Sequence, residues 1–251
     1  MNTVVIVQAR MTSTRLPGKV LLPIAGRPML SYQIERLRRA RRPDRIVVAT
    51  TTNATDDPIV AFCAAEGVDC TRGPEHDVLA RYFEAATRFA ADVVVRVTSD
   101  CPLIDPPLID AAVAAYADAG GACDYVSNMI EPTWPYGMAV EVFSARALAE
   151  AQAEATDAAE REHVTPFIYW RPDRYRLKSL TMSPNLSGQR WTVDTPQDFE
   201  LVRRIIEAIH PENPTFGMSD VLALLARHPD WAEINRDVVQ KSVAPTADKE
   251  S

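Results

Sequence analysis

The stretch that decides the fold of this chain reads VVIVQARMTSTRLPGK and runs from Val4 to Lys19. It opens with β-branched residues, and such a short apolar run predicts a buried strand. The loop after the strand carries three cations, Arg10, Arg15 and Lys19, and no acid. Since ligands of open α/β sheets bind beyond the carboxyl ends of the strands, three cations at that edge suit a triphosphate. The alternative is a surface loop with solvated arginines.

The order of elements along the chain extends this strand into an α/β fold. Strands over 45–50 and 92–98 alternate with helices, which predicts a mostly parallel sheet with helices on both faces. The helices are predicted over 29–39, 57–66, 78–91 and 108–119. After residue 120 the regular alternation of strands and helices ends. Strands are predicted at 125–129, 138–143, 174–182 and 190–193, and helices at 145–159, 198–209 and 219–227. We therefore predict one domain over 1–239, with 125–185 as an inserted substrate-side subdomain, and a disordered tail over 240–251.

Composition excludes several classes of protein. With 47% hydrophobic residues and a net charge of −7, the chain is typical of a soluble globular protein and not of a general nucleic-acid binder. No apolar run approaches a membrane span and no signal pattern precedes the first strand, so we expect a cytoplasmic protein with no membrane partner. The four cysteines form no CxxC pair, which favours free thiols over a zinc site or a disulfide.

Positive charge is concentrated near the amino terminus, where residues 1–50 hold ten Lys or Arg residues and two acids. This asymmetry predicts a local anion site. We assign the anion site to Arg10, Arg15 and Lys19, and we assign the other clustered arginines to the solvated face of one helix. These are Arg36, Arg38, Arg39, Arg41 and Arg42.

Two aspartates follow predicted strands, Asp100 just past the strand 92–98 and Asp194 at the end of the strand 190–193. A carboxylate at such an edge can hold Mg²⁺, which proteins bind through one or two carboxylates together with substrate phosphates. Asp also caps turns, and the sequence spacing does not show that these two residues meet. Asp198 is assigned to the start of the next helix.

The motif QARMTSTRLPGK of residues 8–19 resembles the amino-terminal signature of the cytidylyltransferases that activate acidic sugars. Ordered motifs extend the resemblance over residues 1–205, and it is greatest to the branch of spore coat polysaccharide biosynthesis protein F. The resemblance implies a Rossmann-like nucleotidyltransferase fold of the GT-A-like kind, CTP as the nucleotide, Mg²⁺ as the cofactor and a homodimer.

The resemblance also assigns the nucleotide and metal sites. Asp100 and Asp194 would ligate magnesium, and with Arg10 and Lys19 they form the catalytic set. Ser99 departs from the pattern, since many family members have glycine there, and Asp77 is equally well explained as a helix cap. The nucleotide-binding residues would be Gln8, Ala9, Arg10, Arg15, Gly18, Lys19, Asp77, Arg81, Thr98 and Ser99.

Two later motifs, residues 136–143 and 160–166, resemble those near the acceptor site of the SpsF-like branch. Glu141 and His163 would hydrogen-bond acceptor hydroxyls, and His163 could assist deprotonation. A helix-end histidine in a polar contact is the alternative for His163. The predicted acceptor-binding residues are Arg96, Tyr136, Gly137, Glu141 and His163.

The predicted reaction is transfer of CMP from CTP to an acidic sugar, with release of pyrophosphate, for surface polysaccharide synthesis. A GT-A-type glycosyltransferase is a rival hypothesis, although such an enzyme needs a clamp for a diphosphate only. Two more hypotheses stay open, namely nucleotide transfer to a sugar or polyol phosphate and a non-catalytic nucleotide-binding protein. No nucleic-acid partner is expected.

Overall fold

The structure, a computed structural model, describes residues 1–240, so the predicted tail 240–251 lies outside the described residues except for Gln240. The strands in chain order are β1 (Thr3–Gln8), β2 (Pro23–Ile24), β3 (Arg27–Pro28), β4 (Arg45–Thr51), β5 (Asp69–Gly73), β6 (Val93–Thr98), β7 (Tyr125–Ser127), β8 (Glu141–Ser144) and β9 (Leu177–Ser179). The α-helices are α1 (Met29–Leu37), α2 (Asp57–Glu66), α3 (Val78–Arg88), α4 (Pro106–Ala117), α5 (Ala145–Glu154), α6 (Ala158–His163), α7 (Pro166–Tyr169), α8 (Pro196–Ile209) and α9 (Met218–Arg227).

Among residues 1–240, seven strands form one sheet in the order β5-β4-β1-β6-β8-β7-β9, and β2 and β3 form a separate ribbon. Within the sheet, β8 alone among the described strands runs antiparallel to its neighbours, which confirms the mostly parallel α/β fold. The register pairs Gln8 with Thr98, so the loops after β1 and β6 leave the sheet side by side. The segment 125–185 contributes β7, β8 and β9 to this same sheet.

Helices cover both faces of the sheet, and β1 lies between them. Val5 and Val7 pack into the core with α1, α2, α4, α8 and α9. Val4 and Ile6 pack on the opposite face with α3, α5 and α7. All four side chains are fully buried, which explains why β1 reads as an unbroken apolar run rather than an alternating one.

The strand predicted over 190–193 is absent from the described part of the chain, so this prediction was wrong. The Trp191 amide donates to the Tyr136 carbonyl at 2.6 Å, and the Val193 amide donates to the Asp100 carbonyl at 2.8 Å. The segment therefore divides its hydrogen bonds between two loops instead of pairing with one strand. Its apolar residues are buried in the core, which is why they read as a strand.

The assignment of Arg36 to a solvated helix face was also wrong. Arg36 is 3% exposed, and its guanidinium donates to the carbonyls of Ile104 at 2.7 Å and Phe216 at 3.0 Å. Burial, with the charge of Arg39 beside it, lowers the pKa of Arg36 to about 10. Arg36 thus ties α1 to two loops by satisfying their carbonyls.

Two predictions from composition, on membrane spans and on cysteines, can be compared with the described residues. Within 1–240, no helix is both long enough and apolar enough to cross the bilayer. All four cysteines are free, and Cys63, Cys101 and Cys123 are buried while Cys70 is half-buried, as predicted for structural thiols.

Candidate active site

A backbone hydrogen bond joins the two ends of the loop between β1 and Lys19. Gly18 has φ +71° and ψ 7°, and its amide donates to the Met11 carbonyl at 2.8 Å. This left-handed conformation costs glycine little and other residues more, so glycine suits this position. The turn directs the next residue, Lys19, toward the sheet edge, where it is 9% exposed.

Lys19 brings the two predicted metal aspartates together. Its Nζ lies 2.9 Å from Asp194 Oδ1 and 3.3 Å from Asp100 Oδ2, and it donates to the Val193 carbonyl at 2.7 Å. An ammonium group has three N–H donors, and these contacts use all of them. The side chains of Lys19, Asp100 and Asp194 therefore meet at one point beyond the ends of β1 and β6.

The outer oxygen of Asp194 contacts two further cations. Arg15 Nη2 lies 3.0 Å from Asp194 Oδ2, and Arg190 Nη2 lies 3.2 Å from the same oxygen. Arg10 differs, because its side chain makes no hydrogen bond or ion pair with any residue in 1–240. Of the three predicted phosphate-binding cations, two thus neutralise a carboxylate here, whereas the charge of Arg10 acts on Glu75 without a hydrogen bond or ion pair among residues 1–240.

The charges of this cluster shift the pKa values of its members. Burial by itself would lower the pKa of Lys19, but the charges of Asp100 and Asp194 outweigh it and raise this pKa. Burial would raise the pKa of Asp100, but the Lys19 charge and the hydrogen bond from the Thr98 hydroxyl outweigh it and lower this pKa. Both groups are therefore charged at neutral pH.

The backbone fixes where the two aspartates meet. The Asp100 carbonyl accepts from the Val193 amide at 2.8 Å and from Thr192 Oγ1 at 3.1 Å, which joins the two loops directly. Ser99, which departs from the family pattern described above, has no left-handed φ, and its amide donates to the Gln8 carbonyl at 3.1 Å. Glycine is not needed there, so the departure leaves the loop intact.

Gly137, predicted to bind the acceptor, has a visible structural reason to be glycine. Its φ is +107°, and a Cβ at this position would lie 2.4 Å from the Thr192 amide nitrogen and 2.5 Å from the Trp191 carbonyl carbon. The backbone of 191–194 can therefore cross Gly137 closely and carry Asp194 into the site.

Two carboxylates that the sequence did not single out hold the loop of residues 9–19 after β1, which is the predicted phosphate-binding loop and is called the phosphate loop below. Asp56, fully buried, accepts from the Met11 amide at 2.7 Å and from the Thr51 amide at 3.2 Å. Glu75 accepts from Thr12 Oγ1 at 2.8 Å. Because each residue lies far along the chain from the loop, no local pattern points to these contacts.

A hydrogen-bond network around Asp198, which the sequence did not predict, holds the backbone of Asp194. Asp198, fully buried, accepts from Arg190 Nε at 2.8 Å, from Asn235 Nδ2 at 2.8 Å and from the Asp194 amide at 3.1 Å. It also forms the capping box of α8 with Thr195, which confirms its assignment to the helix start. Burial would raise the pKa of Asp198, but the hydrogen bonds from Arg190 and Asn235 outweigh it and lower this pKa.

Asp77 and Arg81 lie at the start of α3. Asp77 caps this helix, with its Oδ1 accepting from the Ala80 amide at 2.9 Å, and its other oxygen pairs with Arg161. Arg81 is 2% exposed, and its Nε and Nη1 have no hydrogen-bond partner among the described residues. Unsatisfied guanidinium donors are costly to bury, so Arg81 is a group that a bound ligand would stabilise.

The predicted acceptor residues divide into two groups. Glu141 is buried in a closed network, accepting from Arg96, from the Tyr125 hydroxyl at 2.7 Å and from the Thr165 hydroxyl. Arg96 also donates to Gln8 Oε1 at 3.2 Å, which links this network to the end of β1.

His163 adds to the group around Glu141, whose charge acts on it, whereas Tyr136 lies apart and forms the second group. His163 is half-buried at the end of α6, and burial lowers the pKa of its imidazole. Tyr136 lies on the other side, its ring centre 5.3 Å from the Arg190 guanidinium carbon. Tyr136 is therefore a neighbour of Asp194, whereas His163 belongs with Glu141.

Ala9 and Thr98, which are also predicted to bind the nucleotide, make structural contacts at the ends of β1 and β6. The Ala9 amide donates to the Ala49 carbonyl at 3.1 Å, and Ala9 itself is buried. The Thr98 carbonyl accepts from Gln33 Nε2 at 2.7 Å while its hydroxyl orients Asp100.

The donor set fits magnesium. Within residues 1–240, no group of three or more His, Cys, Asp or Glu side chains is placed to hold a metal ion. Asp100 and Asp194 offer two carboxylates instead, and Mg²⁺ binds through one or two carboxylates while substrate phosphates and water complete its shell. The same pair lacks the ligands of a structural zinc site.

Comparison with known proteins places this geometry in a family. A sequence model described as cytidylyltransferase matches residues 4–216. The spore coat polysaccharide biosynthesis protein SpsF of Bacillus subtilis is 33% identical over 234 residues, covering 90% of this chain and 95% of SpsF. The 3-deoxy-manno-octulosonate cytidylyltransferase of Geobacter sulfurreducens is 39% identical over 118 residues, covering 47% of this chain and 46% of that enzyme.

The fold agrees with these relatives. A cytidylyltransferase structure from Leptospira borgpetersenii superposes with a TM-score of 0.88 at 29% identity, covering 96% of this chain and all of that one. The predicted family and nucleotidyltransferase fold are therefore confirmed. The chain belongs to the cytidylyltransferase family and is a CTP-dependent nucleotidyltransferase.

Proposed function

We propose that this enzyme transfers CMP from CTP to a hydroxyl of an acidic sugar, of the nonulosonate or octulosonate kind, in a magnesium-dependent reaction. The observation that carries the proposal is the contact of Lys19 with both Asp100 and Asp194, on a loop that also presents Arg10 and Arg15. Phosphate-binding cations and metal-binding carboxylates thus share one point. The names of two relatives, a spore coat polysaccharide protein and a 3-deoxy-manno-octulosonate enzyme, favour an acidic sugar for a surface polysaccharide.

In this reaction the acceptor oxygen forms a bond to the α-phosphorus of CTP, and the bond from that phosphorus to the bridging oxygen of the β-phosphate breaks. Arg10, Arg15 and Lys19 would bind the outer phosphates and stabilise the charge of the departing pyrophosphate. Mg²⁺ held by Asp100 and Asp194 would neutralise phosphate charge and lower the pKa of the acceptor hydroxyl. The mechanism needs no covalent nucleophile.

The acceptor would lie between the two groups of predicted residues. His163 is neutral at pH 7 because burial lowers its pKa, so it can take up the proton of the acceptor hydroxyl. Glu141 already accepts from Arg96, Tyr125 and Thr165, so we assign it to orienting Arg96 rather than to direct contact with the sugar.

A screen of pyrophosphate release tests this function. CTP, UTP, ATP and GTP are each supplied with Mg²⁺ and a nonulosonate, an octulosonate, a sugar phosphate or a polyol phosphate, and the products are identified by mass. We expect pyrophosphate with CTP and an acidic sugar, together with a CMP-sugar, and none from the Asp100→Asn protein. A CMP ester of a sugar or polyol phosphate would replace the acidic sugar in the proposal. Sugar transfer from an intact nucleotide sugar, without pyrophosphate, would establish the glycosyltransferase instead.

Two further expectations stay predictions, the oligomeric state implied by the resemblance and the location inferred from the absence of a membrane span and a signal pattern. We propose that the enzyme is a homodimer and that it acts in the cytoplasm. Light scattering of the purified protein would measure the first, and fractionation of cells would measure the second.

A further inference from the structure

Lys19 is bound as a metal ion would be bound. Its ammonium contacts one oxygen of Asp100, one oxygen of Asp194 and the Val193 carbonyl, at 3.3, 2.9 and 2.7 Å. Two carboxylates and a carbonyl are the oxygen ligands that hard divalent cations prefer. With all three of its donors in use, Lys19 has none left for a phosphate in this state.

The cations around Asp194 differ in how firmly they are held. Arg15, 31% exposed in its side chain, and Lys19 both belong to the phosphate loop. Arg190, 11% exposed in its side chain, is fixed by two hydrogen bonds to the fully buried Asp198, at 2.8 and 2.9 Å. A triphosphate would draw the two loop cations toward itself but leave Arg190 in place.

We infer that Lys19 occupies the metal position in the nucleotide-free enzyme, so that nucleotide binding and metal binding are coupled. Bound triphosphate takes Lys19 and Arg15 away from the carboxylates, and Asp100 and Asp194 then become free to bind the divalent cation. Without nucleotide the carboxylates are already neutralised, and a divalent cation must compete with a resident ammonium. The inference rests on the proposed magnesium dependence and adds the order in which the site is filled. Coupling of this kind is reciprocal by thermodynamic necessity.

The test measures Mn²⁺ binding to the nucleotide-free protein, with free Mn²⁺ followed by electron paramagnetic resonance. We expect Lys19→Met to bind Mn²⁺ at least about tenfold more tightly than the wild type, a coupling of ordinary size. Arg10→Met is the matched control, because it removes one positive charge from the same loop but from a side chain that contacts neither carboxylate. Its Mn²⁺ affinity should stay within about twofold of the wild type, well below the expected coupling. Adding Asp194→Asn to Lys19→Met should abolish the gain.

Three outcomes would overturn the inference: equal Mn²⁺ affinity of the wild type and Lys19→Met, no binding by either, or an equal gain in Arg10→Met. If Lys19→Met does not fold, as judged by thermal unfolding, Lys19→Gln removes the same charge and is measured in the same way. The assay contains no nucleotide, so a wild type that releases no pyrophosphate from CTP would contradict the proposed function and leave this result standing.

Discussion

Replacing Arg15 by alanine is expected to weaken binding of CTP, and the size of the loss depends on a contact that already exists in the free protein. Arg15 lies on the phosphate loop, yet its Nη2 is 3.0 Å from Asp194 Oδ2. To reach the outer phosphates it must leave this carboxylate. Arg10, on the same loop, has no hydrogen bond or ion pair in residues 1–240 to break, although its charge acts on Glu75.

The expected loss of CTP affinity depends on the contacts that Arg15 and Arg10 make in the free protein. A charge-assisted hydrogen bond to a phosphate contributes about 1.5–3 kcal/mol. The ion pair of the partly exposed Arg15 with the buried Asp194 is worth up to about 1 kcal/mol, which the wild type loses on binding. Arg15→Ala should therefore cost a net of about 0.5–2 kcal/mol, or roughly 2- to 30-fold in the dissociation constant of CTP. Arg10→Ala should cost the full amount, roughly 10- to 150-fold.

Calorimetric titration of CTP and of CMP into the wild type, Arg15→Ala and Arg10→Ala, with magnesium present, measures both effects. CMP lacks the outer phosphates, so its affinity should change by less than about threefold, or 0.6 kcal/mol, in Arg15→Ala. If Arg15→Ala weakens CTP and CMP equally, Arg15 does not contact the outer phosphates. A larger loss of CTP affinity in Arg15→Ala than in Arg10→Ala would refute the argument from the ion pair.

Three further predictions concern the site and its support. Asp100→Asn and Asp194→Asn should each nearly abolish pyrophosphate release, and the double variant should be no worse than either, because one metal site is lost in all three; multiplied losses would argue against a shared site. Gly137→Ala should lower the free energy of unfolding in urea by about 1–3 kcal/mol through its 2.4 Å overlap with backbone, whereas Gly188→Ala, with open space around its Cβ, should change it little. Since the pKa of Asp198 is lowered in the folded state, its stabilisation is present above about pH 4 and is lost as pH falls through the folded pKa, so Asp198→Asn should flatten the stability curve below about pH 5 and leave its slope between about pH 5 and 7 unchanged. An unchanged slope would show that Asp198 is not the group responsible.

Local pattern was enough for the parts of this enzyme whose partners lie close in sequence. The unbroken apolar run of β1, the alternation of strands and helices and the position of Asp198 at the start of α8 are all confirmed. The cationic loop was equally visible, because a strand followed by three cations is a local feature. These features depend on side-chain periodicity and on hydrogen bonds within a few residues, which the order of amino acids specifies directly.

The meeting of Asp100 with Asp194, by contrast, depends on how the sheet and its loops assemble. It requires that Gly137 let the backbone of 191–194 pass closely, and that Arg190 hold the outer oxygen of Asp194. Asp56 likewise supports the phosphate loop from another part of the chain. Such contacts join residues that are distant in sequence, and their geometry is set by strand register and by the burial of unpaired polar groups, which no local pattern records. The chain order therefore named the candidate residues for the chemistry, and the tertiary structure decided which of them touch.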